Sequence, residues 1–127
     1  MLRRFKRRGC VLGIASNAQA YTLGELGQHL HEHGLGMDCF EPDLVFWSYQ
    51  HGFSKPDPHV FQLLSTRLGL RHIPESETLM IGDRLDNDVT PARAHGWRAW
   101  HLSPPGHPGD GGFAALLEAM DSGAWSP

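Results

Sequence analysis

Three apolar residues, Leu79, Met80 and Ile81, run into Gly82 and are followed at once by Asp83, Asp86 and Asp88. A run this short, closed by a turn former, suits a buried strand. In an open α/β sheet the carboxyl end of such a strand faces the crevice where ligands bind. Gly82 is expected to let the backbone turn tightly as it leaves the sheet, with Asp83 at the strand tip and Asp88 near the start of the next helix. Two carboxylates converging on one crevice repel each other unless a cation lies between them, and an all-oxygen site with room for water suits Mg²⁺. Asp and Asn also cap helix starts, and this stretch taken alone leaves both readings open.

The rest of the chain repeats the pattern of an apolar run followed by a helical one. Phe5 to Arg8 reads as the end of a helix stopped by Gly9. Cys10 to Ala15 is a continuous apolar run, as expected of a parallel strand covered on both faces. It ends at Ser16-Asn17, and Tyr21 to His33 then carries Leu23, Leu26 and Leu30 at helical spacing. A hydroxyl beside a fresh helix N-terminus can bind phosphate, although Ser16 or Asn17 could equally be an ordinary cap. His29 and His33 share a helix face but bring no third ligand nearby, so a polar face is the better reading of them.

Leu44 to Trp47 is the next strand candidate. Lys55 stands just ahead of Pro56-Asp57-Pro58, where Asp57 can cap a helix and Pro58 can fill its first turn. Val60, Phe61, Leu64 and Leu68 form that helix's buried stripe and Gly69 is expected to stop it. Beyond the acidic stretch, Val89 to His95 reads as a short helix ended by Gly96, and Arg98 to Leu102 as a strand. Ser103 to Gly112 is a Pro- and Gly-rich loop, and Phe113 to Met120 a last short helix. Strands alternating with helices imply βα units and a parallel sheet. Trp97 and Trp100 are expected in the core, while Trp125 could face a partner.

Composition narrows the function classes. At 127 residues the chain is expected to form one domain, 40% hydrophobic, and its net charge of −3 gives no support to nucleic-acid or anionic-membrane binding. No apolar run approaches the roughly 20 residues of a membrane span. The basic start, the apolar run and Ala18-Gln19-Ala20 imitate a secretory signal, but the apolar part is too short and is broken by Gly13. Cys10 and Cys39 lack disulfide-scaffold or metal spacing, which points to reduced thiols and a cytoplasmic protein.

The ordered set IASN, KPDP and GDRLDND, each on its expected element, resembles the haloacid dehalogenase-like (HAD) hydrolase superfamily over residues 10 to 102. The resemblance implies a three-layer, Rossmann-like parallel sheet with helices on both faces. It implies that Ser16 holds a phosphoryl oxygen, that Lys55 offsets charge on the phosphate and the nucleophile, and that Asp83 is a Mg²⁺ ligand. Asp88 would be the second acid, with Asp86 an outside candidate, and Ser16, Asn17 and Lys55 would bind a small phosphorylated metabolite. Such residues suit phosphoryl transfer because an anionic nucleophile must approach an anionic ester, and cations and N–H donors make that tolerable. A metal-free dehalogenase branch carries SSN where this chain has GDR, so Gly82-Asp83 favours the phosphatase branch.

The family's first motif, DxDx[TV], which supplies the nucleophile, is absent. Asp38 and Asp43 precede an apolar strand instead of following it, and Asp110 lies in a loop without a suitably spaced partner. The expectation is therefore a single HAD-like core over 1–127 lacking the family's central first strand, with 1–9 a remnant of a cap-to-core linker helix and 103–127 a loop and final helix. Such a chain should be inactive alone. A non-catalytic, HAD-derived binding or interaction module is the alternative.

Overall fold

The computed structural model describes residues 2–17, 28, 30–32 and 34–123. The chain divides into two compact units, Met1–Val60 and Phe61–Pro127. Among the described residues the strands form two two-stranded parallel sheets, one in each unit. The fold is thus α/β with parallel pairing.

In the first unit, helix α1 (Leu2–Arg7) is closed as expected by Gly9, whose φ of 80° lets Cys10 N–H donate to the Phe5 carbonyl at 3.1 Å. Strands β1 (Ile14–Ser16) and β2 (Val45–Trp47) pair with Ile14 opposite Val45 and Ser16 opposite Trp47. The first strand is shorter than the apolar run from Cys10 to Ala15 suggested. Pro42–Leu44 forms a 3-10 turn, so its neighbour becomes extended only at Val45 and no ladder can start earlier. Residues 10–13 instead run beside that turn, where Glu41 N–H donates to the Leu12 carbonyl at 2.9 Å. Gly13 permits the approach, since a Cβ there would lie 2.6 Å from the Leu44 carbonyl oxygen. β1 is half-buried along its length rather than covered on both faces.

Of the helix expected over Tyr21 to His33, Gln28 and residues 30–32 are helical and Leu30 is buried. Leu23, Leu26, His29 and His33 lie outside the described residues, as do Ala18-Gln19-Ala20 and Trp125. After β2 comes a single helical turn, α2 (Ser48–His51), ended by Gly52 in a left-handed conformation. Phe46, fully buried, stacks on the His51 ring at 4.6 Å and lies 5.4 Å from Phe53.

Helix α3 (Pro58–Leu70) starts as its sequence implies: Asp57 Oδ1 accepts the His59 N–H at 2.9 Å and Pro58 occupies the first turn. Of its expected stripe, Val60, Phe61 and Leu64 are buried and Leu68 is half-buried. Each buried side chain contributes about 1.5 to 3 kcal/mol relative to exposure. The helix passes through Gly69 and is closed by His72, with φ 61°, while Ile73 N–H donates to the Leu68 carbonyl at 3.0 Å. Gly69 is not the stop because its backbone stays outside the left-handed region and a Cβ there would meet open space.

In the second unit, β3 (Leu79–Gly82) and β4 (Arg98–His101) pair in parallel, with Gly82 opposite His101. Between them lie one π-helical turn, Leu85–Val89, and helix α4 (Thr90–Ala94). Gly96 then reverses the chain at φ 86°. Trp97 and Trp100 are buried, as expected, and each indole N–H has an acceptor: Ser65 Oγ at 2.8 Å and the Gly111 carbonyl at 2.9 Å. Phe61 meets Trp97 edge-on at 5.3 Å. The final helix α5 (Phe113–Asp121) buries Leu116, Leu117 and Met120.

Candidate active site

Each ladder ends in the polar residues that the sequence marks. Ser16 is the last residue of β1, and Asn17 turns its side chain onto the backbone of Lys55. Asn17 Nδ2 donates to the Lys55 carbonyl at 2.8 Å, and Lys55 N–H donates to Asn17 Oδ1 at 2.8 Å. A carboxamide paired in this two-pronged way imitates a neighbouring strand, extending the hydrogen bonding of β1 by one side chain. The amide expected to bind substrate is thus engaged in holding the lysine's backbone to the strand exit. The Lys55–Pro56 peptide is cis. The helix start expected to offer N–H donors after Ser16 lies outside the described residues.

In the second unit, Gly82 is needed for a reason other than a tight turn. Its φ is not in the left-handed region; what it provides is space, because a Cβ there would collide with the Asp88 side chain. Asp88 is 5% exposed, and its Oδ2 accepts the Arg84 N–H at 3.2 Å. The π-helical turn brings it there, with Asp88 N–H donating to the Arg84 carbonyl at 2.9 Å. Asp83 is exposed at the strand tip. Its carbonyl accepts a hydrogen bond from His101 Nε2 at 3.2 Å.

Asp86 is occupied elsewhere. Arg84 forks onto it, Nε to Oδ1 at 3.1 Å and Nη2 to Oδ2 at 2.8 Å. That hydrogen-bonded guanidinium holds the Asp86 carboxyl below the usual carboxylate range and raises Arg84 in turn. Of the two candidates for second acid, the geometry therefore sets Asp88 against the end of β3 and leaves Asp86 in an exposed ion pair.

The donors are suited to a hard cation. Asp83 and Asp88 offer carboxylate oxygens, and among the described residues no cluster of three or more His, Cys, Asp or Glu side chains could hold a metal. Carboxylate oxygens are the donor type Mg²⁺ takes, and it is commonly held by one or two carboxylates with water and phosphate oxygens completing its shell. The cysteines are not prepared as nucleophiles. Burial pushes both thiols up, with Asp38 adding to the rise at Cys39.

Sequence reasoning passed over His101, and it weighed Asp110 only as a nucleophile, missing its role as the partner of His101. The expected strand RAWHL ran on to Leu102, whereas β4 ends at His101, and the rule that strand tips face the crevice applies to His101 as well as to Asp83. Asp110 Oδ2 accepts the His101 N–H at 2.8 Å, a role hidden in a Gly-rich loop.

A model of the haloacid dehalogenase-like hydrolase family matches residues 1–96. The chain belongs to this family. A HAD phosphatase from Thermococcus onnurineus has a similar structure, with a TM-score of 0.70 and 28% identity over 95% of this chain. The HAD-family protein YfnB of Bacillus subtilis, solved bound to magnesium, gives 0.71 with 23% identity over 95% of the chain, a likeness of fold. Rhythmically expressed gene 2 protein of Drosophila melanogaster is 35% identical over 57 residues, 45% of this chain. This HAD-like chain spans 54% and 52% of the two solved proteins and 22% of the fly protein. Among its described residues no helix is long and apolar enough to cross a membrane.

Proposed function

We propose that this HAD-like chain carries the phosphate- and magnesium-binding residues of a phosphomonoester hydrolase acting on a small phosphorylated metabolite. The observation that carries the reading is the two-pronged bond from Asn17 to Lys55, which ties the lysine's backbone to the strand exit bearing Ser16. In this reading the Ser16 hydroxyl donates to a phosphoryl oxygen and the Lys55 ammonium offsets the charge of the phosphate and the attacking carboxylate. Asp83 and Asp88 would hold Mg²⁺, which when bound supplies further positive charge to the transferring phosphoryl group. In this reading the nucleophile that would form an aspartyl-phosphate is not supplied by the acids around these strand ends, whose engagements support that view. Asp88 packs against Gly82, Asp86 pairs with Arg84, and Asp110 holds His101.

Two measurements test this. Purified chain should show no Mg²⁺-dependent turnover of p-nitrophenyl phosphate; turnover that disappears in Asp83→Asn would overturn the missing nucleophile. Inorganic phosphate should bind in the presence of Mg²⁺, and Lys55→Ala should weaken it by about 10-fold or more, the size of a lost charge-assisted hydrogen bond. Equal phosphate affinity in Lys55→Ala would remove the phosphate-binding reading.

A further inference from the structure

The Asp83–Arg84 peptide is held from both sides, and only one of its holders belongs to the acidic motif. Its N–H donates to Asp88 Oδ2 at 3.2 Å, and its carbonyl accepts from the His101 ring at 3.2 Å. The β3–β4 ladder ends with Leu102 N–H donating to the Gly82 carbonyl at 2.8 Å. One residue farther on, the backbone of β4 has no rung to offer Asp83, and the His101 side chain takes that place. His101 is itself held by Asp110, which accepts its N–H at 2.8 Å and donates its own N–H to the His101 carbonyl at 2.9 Å. Arg93 Nη2 lies 3.9 Å from the same Asp110 carboxylate and 3.5 Å from the Ala99 carbonyl.

We infer that His101 is a positioning residue for Asp83: its ring N–H fixes the peptide from which the Asp83 carboxylate projects, and so sets the affinity of the site for Mg²⁺. The inference rests on Asp83 being a Mg²⁺ ligand. An exposed carboxylate on a loose peptide must lose backbone freedom when it captures a cation, whereas one on a clamped peptide has already lost it. Asp110 and Arg93 act one step back, by holding the end of β4 that presents the ring.

The test is a calorimetric Mg²⁺ titration of the 127-residue chain, with thermal midpoints measured alongside. Wild type should bind Mg²⁺ and Asp83→Asn should not. His101→Phe, which keeps a ring but has no donor, and His101→Ala should each weaken binding by about 10-fold, and either one that folds suffices. His101→Gln, whose amide can donate to the same carbonyl, should bind close to wild type. If Mg²⁺ binding is sensitive to Asp83→Asn yet unchanged in His101→Phe and His101→Ala, the positioning role falls and the metal site stands. The positioning role falls equally if His101→Gln is as weak as His101→Ala, or if these variants lower only the thermal midpoint. If Asp83→Asn leaves binding intact, the metal reading falls and takes the inference with it.

Discussion

The two strand exits are built alike but secured differently. In the first unit Lys55 is held to the end of β1 by one carboxamide, that of Asn17, reaching across 38 residues of sequence. In the second, Asp83 is flanked by a ladder rung at Gly82, a histidine at its own carbonyl and a buried carboxylate at the next N–H. Every one of those partners lies within the span from Gly82 to Leu102. The difference teaches that a cation contributed by a distant loop needs a specific bridge, whereas an acid at a strand tip inherits its position from the sheet. Both exits are held by hydrogen bonds, and the second adds the packing of buried Asp88 against Gly82.

The comparison breaks most readily at Gly82. Gly82→Ala would drive a methyl group into the Asp88 side chain, and the expected cost is about 1 to 3 kcal/mol in urea-induced unfolding, as for overpacking elsewhere. An unchanged midpoint would mean that Asp88 is not packed against the strand end. Asn17→Ala removes two hydrogen bonds at an exposed position, so its expected cost is smaller, about 1 to 2 kcal/mol in the same assay. Should Asn17→Ala prove the more damaging of the two, the order proposed for the two exits is reversed.

The smallest effect is expected at Asp57, and it depends on pH. The His59 backbone N–H, and after it the His59 ring, hold the Asp57 carboxyl below the usual carboxylate range. A depressed folded value means that the stabilisation is present above the unfolded pKa of about 3.9 and is lost as pH falls through the lower folded one. Asn caps helices about as well as Asp but does not titrate. Asp57→Asn should therefore lose slightly less stability than wild type on acidification below about pH 4, followed by circular dichroism. Equal acid sensitivity of the two proteins would show that the cap contributes nothing through its charge.

Much of this was legible in the residues. The stripe of Val60, Phe61 and Leu64, the cap at Asp57, the strand ending at Gly82 and the burial of Trp97 and Trp100 all stand where local pattern put them. Periodicity and capping act within a few residues, so they can be read without knowing what lies opposite. The start of β1 could not be read this way, because it is set by a 3-10 turn nearly thirty residues downstream. The end of α3 was misplaced at Gly69 because a histidine, His72, takes the left-handed position instead.

The candidate site divides on the same line. Sequence by itself determined which residues stand at the strand exits, Ser16 and Asn17 on one and Gly82 and Asp83 on the other, since runs of apolar residues end where a strand must meet water. Tertiary structure alone decided their partners: that Asn17 binds the Lys55 backbone, that Gly82 makes room for Asp88, that Arg84 claims Asp86, and that His101 supports Asp83. Hydrogen bonds and close packing depend on distances in space, and those distances exist only once the chain has folded.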